Sequence, residues 1–250
     1  MVVLFLFRAA ATGSLSGLTL PADERSQLAI GCLDVTLEHQ AAIALLHSSE
    51  LYGSMMALLR VLSESLVRGL WLHACATDVE LTKFKRGRLE KSFGALIKEY
   101  EDTTETSEGV LSGFKLSAWT QMNDFTHTGL LQVSRRHKPG RVEGNYPDHD
   151  LRTALGVAGA LGLVAAGQLI ALAERARSLA AVSGEDVRIR RIKGNWSKIR
   201  RPRVAVSHAG GEVACAPTLA ALDTSSVWPS DMGLDHTQHM FGPSRPSQVA

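Results

Sequence analysis

The stretch Ser49–Ala76, SELYGSMMALLRVLSESLVRGLWLHACA, decides how the rest of the chain is read. Met55, Met56, Leu58, Leu59, Val61, Leu62, Leu66, Val67, Leu70, Trp71 and Leu72 cover nearly the whole circumference of a helix drawn through it. A helix that is apolar all round belongs inside a bundle of other helices. Yet this one also carries Arg60, Glu64, Arg68 and His73. Charges placed in such surroundings must be paired or solvated, because burying them alone is costly.

Working outward, Pro21-Ala-Asp-Glu24 opens a preceding helix, with proline and acids in its first turn. Its apolar positions recur from Leu28 to Leu46, so it is expected to run to about His47. Ser48-Ser49-Glu50 then supplies a cap for the central helix. Thr77-Asp78 caps a short helix to Phe84, and Arg88 to Tyr100 forms another. Glu101–Glu108, Thr-rich and acidic, reads as a loop. A helix from Val110 to about Arg136 follows, stopped by His137-Lys-Pro-Gly140. Asn145-Tyr-Pro-Asp148 turns into the last long helix, Asp150 to Ala181. No strand signal of any strength occurs before residue 186.

The fold expected is therefore all-α, an antiparallel helical bundle of about five to six helices over residues 21–182. Residues 1–20 read as a loosely ordered extension: Met1–Phe7 is apolar but lacks the charged start and longer apolar run of a secretory signal. Residues 183–250 read as a disordered tail, first basic, then rich in Pro, Ser and Gly. That tail holds nine Lys/Arg against six Asp/Glu, while the whole chain has a net charge of only +2. Its Arg188–Arg203 run can meet nucleic acid or anionic lipid, or be simply solvated.

The 3 cysteines are far apart and form no C-x-x-C pair, which fits a reducing cytoplasm. His236 and His239 have no third ligand nearby, so no metal and no other cofactor is implied. No phosphate-binding, dinucleotide-binding or nucleophile-elbow glycine motif appears. Ala154–Ala173 is long enough to span a bilayer, but its many Ala and Gly residues give a weak drive to insert, and a buried bundle helix is the expectation.

Arg60, Glu64 and Arg68 follow one another at four-residue steps and line one slowly turning stripe. Glu64 bridging both arginines would form a structural ion network; left open, the same stripe would be an arginine-lined cleft for phosphate. A second polar cluster, Asn123-Asp-Phe-Thr-His-Thr-Gly129, interrupts a later apolar helix. If it faces the first, one internal pocket results, with His127 its acid–base group and Asn123 and Asp124 binding residues. Glu38-His39 can join either cluster. Arg135-Arg136-His137-Lys138 suits a helix C-terminus, and Arg135 and Arg136 can also bind phosphate.

Arg68-Gly-Leu-Trp-Leu-His73 resembles the arginine-to-histidine motif of HEPN-superfamily ribonucleases, small helical bundles of bacterial toxin and antiphage systems. That resemblance implies metal-independent RNA cleavage at a homodimer interface, with Arg68 holding phosphate and His73 or His127 moving protons. Five positions rotate an unbroken helix by about 140°, so Arg68 and His73 share a site only if the helix ends or bends between them. Ala57–Leu72, together with Asn123–Gly129, also resembles an uncharacterised family of bacterial helical proteins over about residues 22–180. The competing expectations are a non-catalytic module that binds a protein partner or small ligand, and a membrane-associated protein.

Overall fold

The computed structural model describes residues 20–104 and 109–183. Among them the chain forms seven helices: α1 (Glu24–Ser48), α2 (Tyr52–Ala74), α3 (Asp78–Lys85), α4 (Phe93–Thr104), α5 (Val110–Thr126), α6 (Leu130–Ser134) and α7 (Asp148–Ser183). The fold is all-α, as its periodicity requires. The extension before Leu20 and the tail after Ser183, with the basic run and His236 and His239, lie outside the described residues.

The central helix is central: α2 packs against α1, α4, α5 and α7. Met55, Leu62, Leu66, Trp71 and Leu72 are fully enclosed. Gly69 lies against α1. A Cβ there would meet the Ala29 carbonyl oxygen and Leu33 Cγ at 3.1 Å and Cys32 Cβ at 3.2 Å. The glycine thus permits close packing, and α2 runs through it without a break.

The ends of α2 are held from outside. The Arg25 guanidinium donates to the Leu72 carbonyl at 3.2 Å and to that of Ala76, and pairs with Asp78 at 3.2 Å. It thereby satisfies carbonyls that the helix leaves open. Thr77 and Glu80 close a reciprocal capping box on α3. Lys91 reaches Glu80 and Glu99, each at 2.5 Å, and lies 4.8 Å from the Trp71 ring centre. Trp71 Nε1 donates to Glu99 at 2.7 Å, so one buried indole fastens α4 to α2.

Several boundaries differ from expectation. Asp23, not Pro21, begins α1: its side chain accepts the Ser26 amide. The Ser48-Ser49-Glu50 cap does not form, because Glu50 turns to φ 57° and Leu51 precedes α2 without a side-chain cap. Helix α4 starts five residues later than Arg88, with Ser92 Oγ accepting the Ala95 amide. It then continues into the expected loop, since Glu101 accepts the amides of Leu111 and Ser112 at 2.8 and 3.0 Å. Residues 105–108 are not described. Pro147 precedes α7, which begins two residues before Asp150. A two-residue hairpin, His137–Lys138 with Arg141–Val142, turns at Gly140 where no strand was expected. The expected single helix from Val110 to Arg136 is two helices, α5 and α6.

Helices α1 and α7 are each long and apolar enough to cross a membrane by length and composition. In the bundle they lie against each other and against α2. Ala154, Ala158, Leu161, Ala165 and Leu169 form the inward face of α7.

Two consequences are measurable. Gly69→Ala should lose about 1–3 kcal/mol of stability in urea unfolding, because the methyl group overfills the α1–α2 contact. Gly156→Ala, with open space around the new Cβ, should instead gain about 0.5–1 kcal/mol from helix propensity. The second concerns pH. Burial raises the Glu80 carboxyl, but hydrogen bonds from Lys91 and Thr77 overcome it and hold it at about 2. A depressed carboxyl stabilises the fold above its unfolded value, and that stability is lost as pH falls toward the folded value. Glu80→Gln should therefore cost about 1–2 kcal/mol at neutral pH, after allowance for solvent screening. The difference from the unmodified protein should shrink in unfolding curves as pH falls below the ordinary carboxyl value of 4.5 and be gone at about 2.

Candidate functional site

Helix α5 runs against α2, and a hydrogen bond from Thr126 Oγ1 to the Ala57 carbonyl, 3.2 Å, fixes their register. That register sets the second polar cluster against part of the first. Arg60 Nε pairs with Glu64 Oε1 at 2.9 Å, both side chains about a quarter exposed or less. Arg60 Nη1 meets His127 Nε2. A guanidinium has only donors, so Nε2 is the acceptor and the imidazole carries its proton on Nδ1. The Arg60 guanidinium also lies 5.0 Å from the Trp119 ring centre. Trp119 in turn stacks on Phe93, centroids 4.3 Å apart and planes within 10°. Arginine, carboxylate, imidazole and an aromatic shelf therefore converge at one half-open place, and His127 is exposed there.

The peculiarity of the place is a helix break. The last α5 bond, His127 N–H to the Asn123 carbonyl, is 2.9 Å. Thr128 then enters the left-handed region at φ 56°, and the Gly129 amide closes back on the Asp124 carbonyl at 2.8 Å. The Asp124 side chain accepts the Leu131 amide at the start of α6. Asp124 is thus a capping group. The Asn123 side-chain oxygen is buried beside it with no hydrogen-bond partner among the described residues.

The other expected site residues lie elsewhere. Glu64 does not bridge the two arginines: it pairs with Arg60, and no pair with Arg68 forms among the described residues. Eight residues of helix turn Arg68 about 80° away from Arg60, and its charge acts instead on Cys32 of α1, whose thiol burial raises. His73, in the last turn of α2, sits among Asp23, Arg25 and Arg175. Burial and Arg175 push its imidazole below the ordinary value, Arg25 adds to that, and Asp23 opposes it. With α2 unbroken between them, Arg68 and His73 face different neighbours. Glu38 and His39 are on α1, which packs on α2 and α7.

Arg135 pairs with Asp150 at 2.8 Å, both largely buried, and so anchors the start of α7. Arg136 stands beside Tyr146, whose hydroxyl burial raises and the arginine's charge opposes. Arg136 also lines a cleft of about 660 Å³, with Glu50, Gly53, Thr128, Gln132 and Glu143. Thr128 lines this cleft, and His127 does not. No group of three or more His, Cys, Asp or Glu with metal-binding geometry occurs among the described residues.

Trp119 and Phe93 are the site members that reading by residue type passes over as core aromatics. For Trp119 the signal is spacing: Trp119, Asn123 and His127 repeat at four-residue steps, as Arg60, Glu64 and Arg68 do; Phe93 has no such mark.

No curated protein and no solved structure matches the chain. One family model does, the Family of unknown function (DUF6988), over residues 33–188. That span takes in α2, the broken α5–α6 segment and all of α7, and the chain belongs to this family.

Proposed function

We propose that the chain acts on RNA as a metal-independent ribonuclease, with Arg60 and His127 in the reacting positions in place of the HEPN-like Arg68–His73 motif. The observation that carries this reading is the contact between the Arg60 guanidinium and the exposed imidazole of His127. A planar guanidinium matches phosphate, and an imidazole can move a proton near neutral pH. In this reading Arg60 turns from His127 to a non-bridging phosphate oxygen. Nε2, released, takes the proton of the neighbouring ribose 2′-hydroxyl. The 2′ oxygen bonds to phosphorus, the bond from phosphorus to the 5′ oxygen breaks, and a 2′,3′-cyclic phosphate remains. The departing oxygen takes a proton from solvent, and the imidazolium returns its proton to solvent. Arg60 stabilises the charge that grows on phosphorus oxygens.

A second reading, a non-catalytic helical module holding a small ligand, draws on the cleft beside Arg136. One experiment separates the two. Purified full-length protein is incubated with end-labelled single-stranded RNA, with and without a chelator. Arg60→Ala and His127→Ala are each expected to lower the rate by about 100-fold or more. Arg68→Ala and His73→Ala should retain it within about 10-fold, since neither meets the Arg60–His127 contact. Intact RNA with the unmodified protein, or equal rates in all variants, would rule out cleavage at this site.

A further inference from the structure

We infer that Asp124 is a positioning residue, whose carboxylate builds the helix break that opens His127 and holds it against Arg60. The inference rests on the reading of Arg60 and His127 as the reacting pair. Residues 127–136 keep helical periodicity, with Leu130, Leu131 and Val133 well suited to continue α5. In an unbroken helix Leu131 would stand one turn beyond His127 on the same face. A helical side chain covers the turn before its own Cα, so the leucine would lie over the imidazole. In the structure Leu131 packs toward the core instead, and His127 is exposed.

Three local features enforce that outcome. Thr128 adopts φ 56°, a conformation that strains a residue with a Cβ and that glycine normally takes at such a helix end. The Asp124 carboxylate supplies the compensation by accepting the Leu131 amide, and its backbone carbonyl accepts Gly129 N–H at 2.8 Å. Gly129 leaves room for that carboxylate: a Cβ there would overlap Asp124 Oδ1. On the other side, Thr126 Oγ1 ties the last turn of α5 to Ala57, three residues before Arg60. The turn is therefore fixed from both sides of His127. Strain of this kind persists only where its surroundings over-determine it.

The test uses the full chain and two readouts. The first is the imidazole nitrogen and proton signals of His127 in the absence of RNA, assigned by their loss in His127→Ala. The second is kcat and KM on single-stranded RNA. Asp124→Ala should move the imidazole signals in the direction that Arg60→Ala moves them. It should also lower kcat on the order of 10- to 100-fold with KM little changed, as misplacement of a reacting group does. Asp124→Asn, which keeps an acceptor oxygen, should restore both. Where circular dichroism shows that Asp124→Ala does not fold, Gly129→Ala, which displaces the carboxylate, takes its place with the same expectation. Unmoved imidazole signals in a folded variant, while Arg60→Ala shifts them, would overturn the positioning role. If the unmodified protein leaves RNA intact while the signals shift as expected, ribonuclease action fails and the positioning of His127 stands.

Discussion

A cation on the most enclosed helix of a bundle has to be satisfied, and the arrangement around Arg60 follows from that constraint. Its Nε is taken by Glu64 one turn away, one face by Trp119, and Nη1 by His127. Each partner comes from a different local cause. Glu64 is supplied by helical spacing alone. Trp119 is brought by the packing of α5 on α2 and backed by Phe93 of α4. His127 requires α5 to end where it does. The pairing of α2 with α4 and α5 and the termination of α5 are thus coupled through one guanidinium. Arg68, on the same helix, has another solution: it is half-buried, and its charge acts on Cys32 of α1.

The fold was legible in the sequence to the extent that periodicity controls it. The order of the helices, the central place of α2 and the Thr77 cap all follow from apolar spacing and capping chemistry. Boundaries were less legible where a distant side chain decides them. Glu101 extends α4 because it caps α5, and Arg25 finishes α2 from the start of α1. Neither tie leaves a mark in a local window. Gly69 shows the same limit in reverse. Its place suggests a weak point in α2, yet the backbone of α1 behind it makes it a packing residue.

The polar site was legible as two stripes but not as one arrangement. Four-residue spacing placed Arg60 with Glu64 and Asn123 with His127. It could not show that α5 aligns with α2 so that position 127 meets position 60, because that register depends on Thr126 and Ala57. Nor could it show the break after His127. The apolar pattern runs through Leu130, Leu131 and Val133 as though the helix continued, and the decisive signals are a single carboxylate and a single glycine. Of the two arginines in the first stripe, the spacing to His73 points to Arg68, whereas the long-range register brings Arg60 to His127.

The same pairing bears on how an open site and a stable bundle coexist. Glu64 and Trp119 hold Arg60 by Nε and by a ring face, which leaves the terminal nitrogens of the guanidinium at the open edge. Those are the nitrogens whose fork geometry suits an oxyanion. His127 occupies one of them through an acceptor nitrogen rather than through a charge, and it stands on the exposed side. A neutral imidazole is a weaker partner for a guanidinium than a carboxylate is. In the proposed reading an anion would compete with His127 and not with Glu64, so occupancy of the edge would disturb the helix-break contact while leaving the α2 ion pair and its aromatic support in place. The enclosed half of the arrangement serves the fold, and the half that can exchange partners faces solvent.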